Sequence, residues 1–169
     1  ISIKIPGQLS GKNIKQIQII PRFHYFEAVF IYEDSSLLPQ VTPNERKMAI
    51  DLGLNNLAVC VTNGVIPPFV ISGSPLKSIN QFYNKMLAFY QPILKTRNSL
   101  HWSKRLQALT DRRNKQINDY LHKASRKIVN VCLANDISQV IIGNVARSNY
   151  KIHIGKTNNQ NFVNISLGQ

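Results

Sequence analysis

Asp51 is the side chain whose setting most suggests chemistry. It lies in Lys47-Met48-Ala49-Ile50-Asp51-Leu52-Gly53-Leu54-Asn55-Asn56-Leu57-Ala58-Val59. A short apolar run delivers one carboxylate into a turn of Gly and Asn, and a second apolar run follows. Phosphodiester hydrolysis by two divalent cations ~4 Å apart activates water and stabilises the leaving oxygen. Mg²⁺ prefers hard oxygen ligands, so carboxylates from neighbouring strand ends build such sites. Asp51 fits the first of these carboxylates, and Gly53 permits a sharp turn or a close backbone approach. The plainer alternative is a loop aspartate after a core strand, because Asp-x-Gly is a common sequence.

A second carboxylate is needed at the end of the strand beside the first. That strand is Val140-Ile141-Ile142, and Gly143 and Asn144 follow it. The acids of the chain are Glu27, Glu33, Asp34, Glu45, Asp51, Asp111, Asp119 and Asp136, and none follows Asp136. Asp136 precedes its strand, at the wrong edge of the sheet. These residues alone are expected to bind Mg²⁺ weakly and not to cleave DNA well.

The elements that position Asp51 follow from patterning. Ile14 to Ile20 and Phe23 to Tyr32 are apolar and β-prone. Residues 34–39 and 42–44 read as a loop or linker. Met48 to Asp51, Leu57 to Thr62 and Phe69 to Ser72 are three short strands, with Asn63-Gly64 as a turn. Ser74 is placed to cap a helix running to about Arg97, with Pro75 in its first turn. A second helix runs from about Ser103 to Asn135. Leu106, Leu109, Ile117, Tyr120, Leu121, Ala124, Ile128, Val131 and Cys132 mark its buried face at three-four spacing. Val140 to Ile142 is wholly apolar, the pattern of a parallel strand covered on both sides. In this order the fourth strand lies beside the first. A mixed three-stranded meander with a helical crossover is the start of an RNase H-like α/β domain. Residues 146–161 read as a polar, basic loop.

Composition points to the partner. The 169 residues hold 21 Lys and Arg against 8 Asp and Glu, a formal net charge of +13. Such a balance favours phosphate-rich partners, above all nucleic acid. The long helix carries Lys104, Arg105, Arg112, Arg113, Lys115, Lys123, Arg126 and Lys127. Most lie off the apolar stripe and suit a phosphate backbone, or else form a solvated basic face. Arg113 interrupts the apolar face between Leu109 and Ile117, where a charge needs a partner or a ligand. His122, beside Asp119 and Arg126, reads as a surface histidine before a site residue. Lys151, His153 and Lys156 near Tyr150 form a second candidate nucleic-acid-binding stretch. Gly155-Lys156-Thr157 lacks the upstream Gly of a P-loop. Cys60 and Cys132 lie in apolar runs, and no Cys-x-x-Cys pair announces zinc. Reduced, buried cysteines suit a cytoplasmic protein. No apolar run approaches the ~18 residues of a membrane span, so no membrane partner is expected. The alternating Ile1-Ser2-Ile3-Lys4-Ile5 and the uncapped final residues suggest a fragment of a longer protein.

Ala49-Ile50-Asp51-Leu52-Gly53-Leu54-Asn55-Asn56-Leu57-Ala58 resembles the first catalytic motif of the TnpB family, the OrfB proteins of bacterial insertion sequences and relatives of type V CRISPR effectors. Arg113 to Val129 looks like the helix between that family's first and second motifs. Gly155-Lys156-Thr157-Asn158-Asn159-Gln160-Asn161-Phe162-Val163 resembles a segment of one family branch. The similarity spans nearly the whole chain, including Lys4-Ile5-Pro6. It implies an RNase H-like (RuvC-like) mixed sheet with helices, incomplete in this chain and preceded by the end of a small β-barrel. Residues 1–44 would be the barrel's end plus linker, and residues 45–169 the first part of the nuclease domain. The resemblance further implies RNA-guided, Mg²⁺-dependent (or Mn²⁺-dependent) DNA cleavage, guide RNA and DNA as partners, a nucleoid-associated location, and Asp51 as the first metal ligand. The family's usual glutamate falls where Gly143 stands, so either a later glutamate substitutes or the nuclease is dead. The remaining ligands, and any Zn²⁺ site, would lie after Gln169. The alternative function is a nuclease-inactive, guided DNA-binding repressor derived from such an element.

Overall fold

The structure is a computed structural model that describes residues 4–22, 25–34, 43–98 and 101–143. The chain divides into two compact units, residues 1–40 and 41–169. In the first unit, β1 (Asn13–Pro21) and β2 (Phe26–Glu33) form an antiparallel pair, with a register shift between Ile14 and Gln16. Among the described residues this unit holds a two-stranded sheet.

The second unit is mixed α/β. Its sheet contains β3 (Lys47–Leu52), β4 (Asn56–Thr62), β5 (Phe69–Ser72) and β6 (Gln139–Ile142), in the order β5-β4-β3-β6. The first three form an antiparallel meander, and β6 returns parallel to β3 with Ile142 opposite Ile50. Between β5 and β6 run α1 (Ser74–Asn98) and α2 (Lys104–Ala134). The helices are antiparallel neighbours. Tyr83 and Thr110 hydroxyls meet at 3.0 Å, and Tyr90 receives the Arg105 guanidinium at 4.4 Å.

Alternation decides which face of the sheet is covered. Met48 and Ile50 of β3 are buried, whereas Lys47, Ala49 and Asp51 are exposed. Cys60 and Ala58 lie opposite Ile50 and Leu52 and join the same core. The α2 residues Ile117, Ala124 and Cys132 pack against this face, as the three-four spacing predicts. A register shift between Asn56 and Ala58 breaks the alternation, and Leu57 and Ala58 are both buried.

Two expectations need correction. Val140, Ile141 and Ile142 are 42%, 51% and 57% exposed, so β6 is an edge strand and is not covered on both sides among the described residues. Apolarity alone reports what a strand could bury, and burial depends on a neighbour being there. Ser74 is the first residue of α1 rather than its cap. Gly73 supplies the first helical carbonyl to Lys77, and the Ser72 hydroxyl accepts from the Ser74 N–H. Ser103 does cap α2, accepting from the Leu106 N–H at 3.3 Å.

Candidate nucleic-acid interface and acidic site

Asp51 is exposed near the carboxyl end of β3, one of the two central strands, on the sheet face away from α2. The turn that follows is fixed from two sides. The Gly53 N–H donates to the Leu57 carbonyl at 3.3 Å, and a Cβ on Gly53 would lie 3.0 Å from the Asn56 carbonyl oxygen. Asn55 accepts the Gly73 N–H at 2.8 Å through its carbonyl, and its side-chain oxygen accepts from the Lys77 ammonium. The loop beside Asp51 is therefore tied to the start of α1.

Gly143 lies where the sequence places it. Its N–H donates to the Ile50 carbonyl at 3.3 Å, which continues the β3–β6 register toward Asp51. Among the described residues, a Cβ on Gly143 would meet nothing within 4 Å. The position is thus free of steric reasons to be glycine, and it brings no carboxylate to Asp51. Asp136 lies at the other end of β6, exposed and paired with Arg46 at 3.6 Å. Among the described residues, no group of three or more His, Cys, Asp or Glu could hold a metal ion. Asp51 alone does not make a Mg²⁺ site.

The basic residues of α2 divide by their partners. Lys104, Arg105, Arg112, Lys115, Lys123, Arg126 and Lys127 are exposed. Lys104, Lys115 and Arg126 recur every eleven residues, which is about three helical turns, so they share one line along the helix. Lys123 pairs with Asp119 at 2.7 Å, one turn away on the same helix. Lys123, Arg126 and Lys127 line an open depression with Asn130, Val131, Ala134 and Asn135.

Arg113 is used inside the fold. Its Nε donates to Asn80 Oδ1 at 2.8 Å, one Nη donates to Asn114 Oδ1 at 2.9 Å, and the guanidinium lies 5.6 Å from the Tyr83 ring centre. Burial pulls its pKa below the ordinary value, and Tyr83 opposes that shift. The partner demanded of a charge on the apolar face is Asn80, itself 3% exposed on α1. Sequence reading missed Asn80, although a lone Asn among the apolar positions of α1 was a visible signal. It also missed the ties of Asn55 to Gly73 and Lys77, which no local pattern announces.

His122 is exposed on α2. Cys60 and Cys132 are free, buried thiols, and Cys132 lies 3.9 Å from the Met48 sulfur. Desolvation raises both thiol pKa values, and Cys132 adds to the shift of Cys60. Arg147, Tyr150, Lys151, His153 and Lys156 lie outside the described residues. No described helix is long and apolar enough to cross a membrane.

None of the curated proteins matches the chain. One solved structure, the cryo-EM structure of a Cas12f1–sgRNA–target DNA complex, is similar at 18% identity and a TM-score of 0.45, with 79% of this chain and 31% of that chain covered. The chain thus spans less than a third of that protein's length. A family model described as "Probable transposase", OrfB_IS605, matches residues 28–149. That match takes in both the Asp51 motif and the basic helix α2, and it covers well over half of the sequence: the chain belongs to the OrfB_IS605 transposase family.

Proposed function

We propose that this chain is part of a transposon-encoded, TnpB-like, RNA-guided DNA endonuclease. In this reading residues 45–169 begin an RNase H-like nuclease domain, and residues 1–44 end a β-barrel. The carrying observation is the placement of Asp51 near the carboxyl end of β3, exposed, with Gly143 beside it at the end of parallel β6. Ligands of α/β sheets bind outside the carboxyl ends of parallel strands. The family description and the motif around Asp51 support the same reading.

Asp51 would be the first ligand of a Mg²⁺ or Mn²⁺ site, and a bound metal would supply an activated water and a Lewis acid. The residues present do not complete that site, since no acid follows Asp136. What the chain's own residues do is hold Asp51 on a fixed turn and offer the cations of α2 to phosphates. DNA and a guide RNA are the partners of this reading. The absence of a carboxylate at Gly143 favours a second one, a nuclease-inactive guided DNA-binding protein.

The test is direct. The purified chain should retain RNA or DNA at moderate salt and show no Mg²⁺-dependent cleavage of single-stranded DNA. Robust cutting that vanished in Asp51→Ala would overturn the incomplete site. In a longer protein that carries this segment and cuts DNA, Asp51→Ala should abolish cutting and spare binding. Equal loss of both would assign Asp51 to folding instead.

A further inference from the structure

Helix α1 has two apolar faces, and the fold uses one. Leu76, Asn80 and Tyr83 face the core and α2. About a third of a turn around the helix, Phe82, Phe89 and Ile93 form a second stripe at seven- and four-residue spacing. They are 56%, 59% and 37% exposed. Isolated exposed apolar residues are ordinary, but two phenylalanines on one line of one helix are a patch.

The charge around this patch selects its occupant. Helix α1 contains no Asp or Glu, and its charged residues are Lys77, Lys85, Lys95 and Arg97. Lys85 lies three residues after Phe82 and four before Phe89, on the same side of the helix. Phe89 meets Tyr90 edge to face at 5.0 Å, and Tyr90 carries the Arg105 guanidinium on its ring at 4.4 Å. Phe82, Lys85, Phe89, Tyr90 and Arg105 thus place rings and cations side by side. A second copy of this chain would bring the same cations against them, which disfavours self-association. A polyanion with flat apolar faces suits both components.

We infer that this stripe is a stacking platform for a single-stranded polynucleotide. The inference rests on the nucleic-acid-binding side of the proposed function and not on cleavage. Bases stack on aromatic side chains with little regard to sequence, and cations follow the backbone. Phe82 and Phe89 are about 10 Å apart along the axis at 1.5 Å per residue. That span exceeds the spacing of adjacent stacked bases, so an unstacked strand can place two non-adjacent bases on the two rings with Lys85 at the phosphate between them.

The test uses the full chain and a fluorescein-labelled dT12 oligonucleotide, read by anisotropy. A duplex of mixed sequence is the contrast, and thermal unfolding by circular dichroism is the folding control. Phe82→Ala and Phe89→Ala should each weaken dT12 binding by about fivefold or more. Each should leave duplex affinity within about twofold and unfolding unchanged. Phe82→Tyr and Phe89→Tyr should bind as wild type, whereas the Leu variants should not. Leu variants binding as well as Tyr variants would show a generic apolar surface, suited to a protein helix, and would overturn the inference. So would no dT12 binding by wild type, equal losses on the duplex, or a dimer dispersed by Phe82→Ala. The dT12 readout needs neither Mg²⁺ nor cleavage. Failure of a longer protein that carries this segment to cut DNA would therefore count against the nuclease reading and leave this one standing.

Discussion

Gly143 donates its backbone N–H to the carbonyl of Ile50 at 3.3 Å, which sets it beside Asp51 at the shared end of β3 and β6. The relationship combines the right backbone position with the wrong side chain. Because a Cβ there meets nothing within 4 Å among the described residues, the backbone has room for a side chain to begin.

Gly143→Glu should therefore fold and gain a divalent-cation response. Two neighbouring carboxylates repel until a cation joins them. At a Mg²⁺ concentration ten times Kd, the stabilisation would be about 1.4 kcal/mol, or about 3–6 °C in Tm for a chain of this size. Differential scanning fluorimetry with and without Mg²⁺ reads it, and Asp51→Ala in the same background should erase it. An identical Mg²⁺ response in wild type and Gly143→Glu would show that the two positions do not converge.

Gly73 presents the opposite case. A Cβ there would lie 2.0 Å from the Leu54 carbonyl oxygen and 3.1 Å from that of Asn55. Both obstacles are backbone atoms of the turn after Asp51, so neither can swing aside. Gly73→Ala should cost about 2–4 kcal/mol in urea unfolding, and Gly143→Ala should be nearly neutral. Loss of the turn should also weaken any metal response built on Asp51.

These contrasts show what the sequence could and could not carry. The strands around Asp51 and the buried stripe of α2 were legible, because period-two and three-four spacing are local properties. The parallel pairing of β6 with β3 followed from the short strand after a helical crossover. The exposure of Val140 to Ile142 did not, because burial depends on a covering element elsewhere. Likewise Arg113 visibly demanded a partner, but Asn80 lies 33 residues away on another helix. Nothing local joins Gly73 to Leu54 and Asn55, and the cap of α1 shifts because the Ser72 hydroxyl reaches the Ser74 N–H. The separation of Arg113 from the other α2 cations was legible as an interruption of the apolar face, but the residue that receives it was not.

Arg113 and Arg112 test that separation. Arg113→Ala leaves the buried Asn80 oxygen without its donor, a loss of about 1–3 kcal/mol. Arg112 is exposed, and Arg112→Ala should change stability by less than about 0.5 kcal/mol. Urea unfolding should thus separate two adjacent arginines. Equal stabilities would mean that the Asn80 contact contributes nothing.

The buried thiols predict an alkaline limit. Desolvation raises Cys60 and Cys132, and Cys132 raises Cys60 further, from an ordinary value of 9.0. A raised folded-state pKa means that the native state holds the proton more tightly than the unfolded chain. The associated stability is intact below the unfolded pKa and declines as pH rises from there through the folded value. Under reducing conditions, urea midpoints measured from pH 7 to 10.5 should fall above about pH 9. In Cys60→Ala/Cys132→Ala that fall should be shallower, although the variant is less stable throughout. Parallel curves would show that other groups set the alkaline limit. Native thiols should also react slowly with an aromatic disulfide reagent, because both side chains are in the core.

The far end of α2 makes the most quantitative prediction. Each Lys or Arg that neutralises a phosphate adds about 0.7 to the slope of log affinity against log salt for single strands, and about 0.9 for duplex DNA. Lys123, Arg126 and Lys127 line one depression, but Lys123 already pairs with Asp119 at 2.7 Å. An exposed pair of this kind is weak, yet part of the charge is neutralised before any phosphate arrives. Arg126→Ala/Lys127→Ala should therefore reduce the duplex slope by about 1.8 if both track the backbone. Lys123→Ala should reduce it by less than one full contact, and Asp119→Asn should raise affinity by freeing Lys123. Anisotropy titrations from 50 to 300 mM KCl would measure all three. If Arg126→Ala/Lys127→Ala left the slope unchanged, these cations would be a solvated face and the nucleic-acid path would have to run elsewhere on the molecule.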